Sequence, residues 1–256
     1  MDFAVVIPAR YGATRLPGKP LADVCGRPMI QWVYDAAAAG GAAEVIVATD
    51  DTRIAEACGR FGARAEMTDS AHASGTDRIG EVARRLDWPD ERVVVNVQGD
   101  EPLLPPVLVS QVARLLDDDP EAGLATLATP IVDSAEWDDP NVVKVVTDRR
   151  YRALYFSRAR IPWPRDSEGP VANAMRHVGL YGYRVRALKA YTGAGPCGLE
   201  LQERLEQLRA LWLGIPIHVA QAREIPPRGV DTEEDLQAVR RILAQRSPGC
   251  LTPPTK

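Results

Sequence analysis

The stretch Phe3-Ala4-Val5-Val6-Ile7-Pro8 is a short apolar run that ends at a proline. This pattern is typical of a buried strand whose carboxyl end opens into a loop. A second run, Val93-Val94-Val95-Asn96-Val97, has mostly β-branched side chains and leads into another glycine-containing loop. Continuous apolar strands of this kind are typical of parallel sheets, which are covered on both faces. The two runs therefore predict strands in the centre of a parallel sheet.

Helical patterns alternate with the strands. Pro28 stands where a first helical turn begins, and apolar residues then recur at three- and four-residue spacing up to Gly40. Further segments predict a strand over 44–48, a helix near 51–61, a strand near 64–67 and a helix near 76–86. We predict an α/β fold with a mostly parallel, Rossmann-like sheet and helices on both faces. Ligands bind at the carboxyl ends of such strands, so the loops after Ile7 and Val97 are candidate sites.

The pattern loosens between about 131 and 201, where short strand-like pieces at 142–147, 153–157 and 177–183 are interrupted by prolines and glycines. We predict a single domain over 1–245 with a smaller inserted lobe at about 131–201. Beyond the lobe, 200–212 reads as one helix, 216–220 as a strand and 232–245 as an amphipathic helix. The segment 246–256 contains prolines and predicts a flexible tail.

The composition limits the class of protein. The chain has 256 residues, of which 45% are hydrophobic and 26% charged, as in ordinary globular proteins. The formal charge of −4 argues against nucleic-acid binding. The four cysteines are scattered without a CxxC pair, which fits neither a zinc site nor a dense disulfide framework. With no signal-peptide pattern and no apolar run of about 20 residues, we expect a cytoplasmic protein that binds no membrane.

The loop from Pro8 to Pro20 concentrates cations and glycines. Arg10, Arg15 and Lys19 can bind phosphate oxygens, and glycine allows backbone amides to approach them. The loop is not a Walker A motif, because five residues rather than four separate its glycines and a proline follows the lysine. A triphosphate loop and an ordinary arginine-rich surface loop both remain open on this evidence.

Two aspartates are candidate metal ligands. Asp100 follows the strand that ends at Val97, where a carboxylate can hold Mg2+ together with phosphates and water. It could equally stabilise a turn before Pro102. Asp231 precedes a helix, so it is a candidate either for metal binding or for the helix N-cap. Local sequence does not decide between these roles.

Several motifs together closely resemble one enzyme family. The loop follows the pattern PAR-x-x-x-T-R-L-P-G-K-P-L, and further motifs occur in the same order at 72–78, 95–102, 154–158, 176–183, 205–209 and 229–232. In these features the chain is similar to the CMP-Kdo synthetases, also called 3-deoxy-manno-octulosonate cytidylyltransferases. The resemblance covers nearly the whole chain up to about Leu243. One departure is Ala13, where relatives often carry serine, so we assign no side-chain phosphate contact to it.

The resemblance implies a nucleotidyltransferase fold and a reaction. CMP would pass from CTP to the anomeric hydroxyl of 3-deoxy-manno-octulosonate (Kdo), giving pyrophosphate and CMP-Kdo for lipopolysaccharide synthesis. The implied catalytic residues are Arg15, Lys19, Asp100 and Asp231, and the two aspartates would hold Mg2+. The implied CTP-binding residues are Ala9, Arg10, Arg15, Lys19, Ser74, Gly75, Arg78 and Asp100. On local grounds alone, the segment 73–78 is interpreted first as a turn followed by a capped helix N-terminus.

A sugar acid needs a cation and several polar groups. Residues at family motif positions that meet this description are Gln98, Arg158, His177, Tyr181, Glu206 and Gln207. Each has a structural alternative: His177 could be a hydrogen-bonded core histidine, and Glu206 could lie on a solvated helix face. Lys144, between two pairs of valines, is an unusual position for a lysine and could act electrostatically near the site.

Alternatives to this function remain open. The acceptor could be another sugar acid, such as a sialic acid or an amino-substituted Kdo. The chain could instead be a non-catalytic nucleotide-binding regulator, although the retained Arg15, Lys19, Asp100 and Asp231 argue against that. The resemblance further implies a homodimer formed through the inserted lobe.

Overall fold

The computed structural model describes residues 2–12, 16–166 and 173–246. In this part of the chain the strands are β1 (Phe3–Ala9), β2 (Asp23–Val24), β3 (Arg27–Pro28), β4 (Glu44–Thr49), β5 (Arg64–Met67), β6 (Val93–Asn96), β7 (Leu124–Pro130), β8 (Lys144–Thr147), β9 (Ala153–Ser157), β10 (Met175–Arg184) and β11 (Ile217–Gln221). The predicted flexible tail at 246–256 lies, except for its first residue, outside the described residues.

Helices connect most of these strands. They are α1 (Met29–Ala39), α2 (Thr52–Arg60), α3 (Gly75–Arg85), α4 (Pro106–Asp118), α5 (Ser134–Asp138), α6 (Val185–Gly193), α7 (Gly198–Glu203), α8 (Gln207–Trp212) and α9 (Glu233–Arg246), and a short 3-10 helix covers Lys19–Leu21. Within the described ranges, no helix is both long enough and apolar enough to cross a membrane.

The chain forms two compact units. The first unit comprises the described residues within Asp2–Trp88, Asn96–Ser110 and Pro226–Lys256, and the second comprises Pro89–Val95 and the described residues within Gln111–Ile225. The sequence-based prediction of one domain with a lobe at about 131–201 stays a prediction.

The first unit contains the parallel strands that the sequence predicted. β1 pairs in parallel with β4, from Ala4 opposite Glu44 to Ala9 opposite Thr49. β4 in turn pairs in parallel with β5. The apolar side chains of β1 and β4 are almost all inaccessible to solvent, as expected for strands covered on both faces. The predicted α/β fold is confirmed, and the ends of these strands share one edge of the sheet.

A hydrophobic cluster packs α9 against the rest of the first unit. Val24, Met29, Val230, Leu236 and Val239 are buried together in this cluster. The Arg240 guanidinium adds two hydrogen bonds of 2.8 and 2.6 Å to the carbonyl oxygen of Asp23. Full burial of one large apolar side chain stabilises the folded state by about 1.5 to 3 kcal/mol. This packing fixes the segment before α9 beside the loop that follows β1.

In the second unit the strands pair in both directions. β11 pairs in parallel with β7, and β10 pairs antiparallel with β7 and with β8. β8 and β9 form an antiparallel pair. The strand-like pieces predicted within 142–147, 153–157 and 177–183 are therefore confirmed as strands. Their antiparallel pairing accounts for the loosened sequence pattern, because such strands can leave one face less covered.

One predicted helix is wrong in its extent. The segment 200–212 was expected to form a single helix, but it forms α7 and α8 with a break between them. Arg204 ends α7 with a φ of 56°, a left-handed conformation that a helix interior does not allow. The apolar spacing continues across the break, which is why periodicity did not reveal it.

Lys144 has a structural role in the second unit. Its side chain is completely buried, and burial lowers the pKa of its ammonium group. The Nζ atom donates hydrogen bonds to the carbonyl oxygens of Asp139 (3.0 Å), Val142 (2.7 Å) and Arg158 (2.7 Å). A buried ammonium group is tolerated only when its N–H donors are hydrogen-bonded, and here three backbone carbonyl oxygens accept those hydrogen bonds. Lys144 therefore ties β8 and the end of β9 to the preceding turn.

We expect Lys144→Met to lower the free energy of unfolding by about 2 kcal/mol, because buried carbonyl oxygens would lose their donor. Urea unfolding followed by circular dichroism measures the change. Lys189→Met is the matched control, since Lys189 is a solvent-exposed lysine of the same unit paired with Asp90, and it should change stability by less than about 0.5 kcal/mol. Equal stability of the two variants would show that the three hydrogen bonds contribute nothing.

Candidate functional site

Lys19 lies at the centre of the candidate site. Its Nζ atom is 2.8 Å from Oδ2 of Asp100, 2.7 Å from the carbonyl oxygen of Val230 and 3.6 Å from Oδ1 of Asp231. The lysine side chain is 13% exposed, against 32% for Asp100 and 47% for Asp231. The structure thus brings the predicted lysine and both predicted aspartates together around a single cationic group.

Close backbone contacts hold this cluster together. The amide of Val230 donates to the carbonyl oxygen of Asp100 at 2.8 Å. A Cβ atom at Gly99 would lie 2.7 Å from the carbonyl oxygen of Pro8, and one at Gly229 would lie 3.2 Å from that of Asp100. A side chain at position 99 would collide with the backbone, and one at position 229 would be in unusually tight contact with it. The loops after β1 and β6 and the segment before α9 therefore converge within the first unit.

Gly18 sets the direction of Lys19. Its φ of 72° is a left-handed conformation, and its amide donates to the carbonyl oxygen of Tyr11 at 2.9 Å. The 3-10 helix Lys19–Leu21 begins immediately afterwards, with Pro20 in its first turn. The glycine and the proline together end the loop and start this short helix, so the position of Lys19 follows from local sequence chemistry.

The helix-cap interpretation of Asp231 is wrong. The Thr232 hydroxyl accepts a hydrogen bond from the amide of Asp235 at 3.2 Å. The Asp235 carboxylate accepts in return from the amides of Asp231 and Thr232, at 3.0 and 2.9 Å. Thr232 and Asp235 thus form a reciprocal cap of α9, a capping-box arrangement with aspartate in the place of glutamate. The carboxylate of Asp231 points instead to Lys19.

Glu101 is a residue that the sequence reasoning missed. Its Oε2 atom is buried and makes no hydrogen bond within the described part of the chain. Burial, and secondarily the charge of Asp100, raise the pKa of Glu101 to about 8. A carboxyl group with a raised pKa beside a cluster of charges is typical of functional sites. Its position next to Asp100 was the only signal available in the sequence.

The arrangement fits a hard divalent cation. Asp100 and Asp231 both lie within 4 Å of one positive group, the Lys19 ammonium, which acts here as a stand-in for a cation. In 2–12, 16–166 and 173–246 no group of three or more His, Cys, Asp or Glu side chains could hold a metal ion. A cation bound by the two aspartates would therefore take its remaining ligands from water and phosphate, as Mg2+ usually does.

The start of α3 lies against the end of β1. Ser74 caps this helix, since its hydroxyl accepts from the amide of Asp77 at 3.1 Å. A Cβ atom at Gly75 would lie 3.0 Å from Cγ of Pro8. The cap interpretation of Ser74 is confirmed, and contact of Ser74 and Gly75 with a base stays a prediction.

Arg78 is buried within the first unit. Its guanidinium donates to the hydroxyl of Thr68 and, at 3.1 Å, to Oδ2 of Asp50. Asp50 directly follows β4, so its carboxylate lies at the carboxyl edge of the parallel strands. A buried guanidinium needs such a partner to offset its desolvation. Asp50 therefore holds Arg78 in place, and a role of Arg78 in binding a base remains a prediction.

The remaining residues of the predicted CTP site follow β1. Ala9 is the last residue of that strand and is buried, and Arg10 is exposed directly after it. Arg15 lies outside the described residues.

The predicted sugar-binding residues belong to both units. Gln98 is in the first unit, in the loop that carries Asp100, whereas Arg158, His177, Tyr181, Glu206 and Gln207 are in the second. Their contact with a sugar stays a prediction.

His177 and Tyr181 belong to β10. The Nε2 atom of His177 lies 3.1 Å from the Thr126 hydroxyl, and the ring packs edge-on against Phe156 with centroids 5.0 Å apart. The rings of His177 and Tyr181 have centroids 5.3 Å apart. Burial lowers the pKa of His177 to about 3, so the imidazole is neutral at physiological pH. It can act there as a hydrogen-bonding group but not as a cation.

Arg158 organises the connection between α7 and α8. Its guanidinium donates to the carbonyl oxygens of Glu203 (2.7 Å), Pro140 (2.9 Å) and Arg204 (3.4 Å). The Glu203 carboxylate in turn accepts from the Arg158 amide at 2.9 Å. This network fixes the segment from which Glu206 and Gln207 extend.

Comparison with known proteins identifies the family. The model of the cytidylyltransferase family matches residues 4–219. The chain belongs to the cytidylyltransferase family. Its match spans both the loop with Lys19 and the strand network of the second unit, so the family covers most of the described fold.

Individual relatives agree with this assignment. Proteins named 3-deoxy-manno-octulosonate cytidylyltransferase are similar to the chain: one from Vibrio vulnificus is 53% identical over 96% of this chain and 100% of its own length. One from Halorhodospira halophila is 56% identical over 94% of this chain and 96% of its own length. A solved structure of a CMP:2-keto-3-deoxy-manno-octonic acid synthetase complexed with CTP is 44% identical, with a TM-score of 0.89, covering 96% of this chain and all of that one. The predicted family is confirmed.

We expect His177→Gln to weaken the pH dependence of stability. In the folded protein the pKa of His177 is lowered from 6.5 to about 3, so the unfolded chain binds a proton there that the folded protein does not. The free energy of unfolding should therefore fall as pH drops from about 6.5 towards 3, by up to about 1.4 kcal/mol per pH unit from this residue.

Urea unfolding of the wild type and of His177→Gln between about pH 7.5 and about pH 5 measures this contribution. Above about pH 7 the difference between the two proteins should be constant, which serves as the internal control. Parallel curves over the whole range would contradict the buried, neutral state of the imidazole.

Proposed function

We propose that the chain transfers CMP from CTP to the anomeric hydroxyl of Kdo, forming CMP-Kdo and pyrophosphate. The observation that supports this most directly is the convergence of Lys19, Asp100 and Asp231. Asp100 and Asp231 are 81 and more than 200 positions from Lys19 in sequence, and the three residues meet at the carboxyl edge of a parallel sheet. Ligands of open α/β sheets bind at this edge.

Asp100 and Asp231 would hold Mg2+ in the loaded enzyme. When bound, the ion would supply Lewis-acid chemistry, neutralising phosphate charge and favouring loss of the proton from the sugar hydroxyl. The donor set fits this assignment, because two carboxylates leave room for phosphate and water ligands. Glu101 is next to this pair, and its raised pKa favours a protonated carboxyl that adds less negative charge to the cluster.

The cations of the loop would act on the triphosphate. Lys19 provides a compact positive charge at the site, and Arg10 extends from the end of β1 into solvent. We propose that Lys19 and Arg15 stabilise the departing pyrophosphate, as the family resemblance implies. The sugar hydroxyl would attack the α-phosphorus of CTP as the bond to pyrophosphate breaks. No side-chain base is required, since the hydroxyl can lose its proton to solvent once its pKa has been lowered.

Recognition of the two substrates would use separate groups of residues. We propose that the Ala9 backbone, Ser74, Gly75 and Arg78 surround the cytosine, because the cap of α3 packs closely against the end of β1. For the sugar acid we propose Gln98, Arg158, His177, Tyr181, Glu206 and Gln207. The neutral His177 and the hydroxyl of Tyr181 suit recognition of sugar hydroxyl groups.

We expect Asp100→Asn to lower kcat/KM by at least about 100-fold, because an amide replaces a charged ligand beside the reacting phosphate. Pyrophosphate release with CTP, Mg2+ and Kdo measures the activity, and sialic acid and amino-substituted Kdo are tested as alternative acceptors. Asp35→Asn is the control, since this aspartate is exposed on α1 and pairs with Arg27. Normal turnover by Asp100→Asn, or no turnover by the wild type with any of these acids, would refute the proposal.

We further propose that the protein acts as a homodimer formed through the second unit. Several large apolar side chains of this unit are exposed, among them Leu154 (62%), Trp212 (66%) and Tyr151 (65%). Leu154 is on β9 and Trp212 ends α8, and these two elements pack against each other. Exposed apolar surface of this kind is typical of protein interfaces.

We expect the double variant Leu154→Glu and Trp212→Glu to sediment as a monomer, because buried charges would disfavour an apolar interface. Analytical ultracentrifugation of the wild type should give a dimer mass. Ile225→Glu is the control, because Ile225 is a 71% exposed apolar residue at the end of the same unit. A monomeric wild type would contradict the dimer, and an unchanged dimer in the double variant would contradict this interface.

A further inference from the structure

The Lys19 ammonium occupies a position built entirely from oxygen atoms. Its neighbours are one oxygen of each carboxylate, from Asp100 and Asp231, and the carbonyl oxygen of Val230. Carboxylate and carbonyl oxygens are also the ligands that hard divalent cations prefer. The same atoms could therefore be contacted either by the ammonium group or by a metal ion.

Charge balance explains why a cation is needed here. Two carboxylates at close distance repel each other, and in a site with restricted solvent access the repulsion is stronger than in bulk water. Lys19 is 13% exposed and supplies one positive charge against the two negative ones. A divalent ion would neutralise the pair completely, but an ammonium and a dication on the same oxygens would repel each other.

Lys19 is also able to move. A lysine side chain has four rotatable methylene groups and carries its charge at the tip. The residue lies at the end of the phosphate-binding loop proposed above, directly after Gly18. A triphosphate in that loop would offer the ammonium new oxygen partners. The Lys19 ammonium thus has two possible sets of partners: the two carboxylates in the nucleotide-free protein, and phosphate oxygens in the protein with bound nucleotide.

We propose that Lys19 is an internal placeholder for the divalent cation. In the nucleotide-free protein it occupies the oxygens of Asp100 and Asp231, and it leaves them for the triphosphate when CTP and the cation bind. This inference rests on the proposed function for the identity of the nucleotide and of the metal ligands. Because the ammonium must be displaced, the cation binds weakly alone and tightly with nucleotide, and the nucleotide gains affinity from the cation by the same factor.

Binding of Mn2+, a spectroscopic substitute for Mg2+, tests the exchange without measuring activity. The electron paramagnetic resonance signal of free Mn2+ is followed during titration of wild type, Lys19→Met and Lys19→Gln, with and without the inert analogue α,β-methylene-CTP. We expect both variants to bind Mn2+ at least tenfold more tightly than the wild type in the absence of nucleotide. The analogue should increase the Mn2+ affinity of the wild type at least tenfold more than that of either variant.

A control separates direct exclusion from general electrostatics. Lys189→Met removes an exposed lysine of the second unit and should leave the Mn2+ affinity unchanged. The gain in the Lys19 variants should persist at about 1 M KCl, where interactions between solvent-exposed charges more than about 3 Å apart are largely screened and those of partly buried groups much less. Adding Asp100→Asn to Lys19→Met should abolish the gain, because one of the competing oxygens loses its charge.

The possible failures are distinguishable. If the wild type binds no Mn2+ even with the analogue, the metal assignment in the proposed function is wrong, and the placeholder proposal for Lys19 is wrong as well. If the wild type binds Mn2+ with the analogue but both variants bind it no more tightly alone, only the placeholder is overturned. If the increase in Mn2+ affinity of the Lys19 variants disappears at high salt, Lys19 acts only through its general electrostatic field, and the proposed exchange is wrong.

Discussion

The contact of one lysine with two aspartates is the interaction on which the candidate site depends. Lys19, Asp100 and Asp231 come from three separate segments, and each segment is held by its own packing. Without the ammonium, the two carboxylates would be adjacent negative charges in a partly buried site. The loop after β1, the loop after β6 and the segment before α9 must therefore remain together for the charges to balance.

Local features make this contact possible. The left-handed conformation of Gly18 directs the lysine, Gly99 lies where a side chain would collide with the backbone of Pro8, and Gly229 lies where a side chain would be in tight contact with that of Asp100. The cap formed by Thr232 and Asp235 begins α9 and leaves the preceding carboxylate available to the lysine. The hydrophobic cluster beneath α9 supplies the stability that holds the charged groups in place.

The second unit uses backbone carbonyl groups in a comparable way. Lys144 and Arg158 each donate to three carbonyl oxygens, and together they connect β8, β9 and the turn between α7 and α8. Both cations were candidates for direct electrostatic or substrate roles. Their hydrogen bonds in the structure position other parts of the chain. Those of Arg158 position the segment that carries Glu206 and Gln207. Proximity of a cation to a motif therefore does not by itself define its function.

The sequence by itself determined the alternating strands and helices and, through its motifs, the family. The strands and helices depend on short-range patterns. One example is Phe3 to Ile7, where an apolar run followed by a proline is enough to predict a strand. Periodicity did not reveal the break at Arg204, because a single left-handed residue leaves the apolar spacing unchanged. Only the tertiary structure decided that Asp231 contacts Lys19 rather than caps α9, since residues more than 200 positions apart meet through packing that no local pattern encodes.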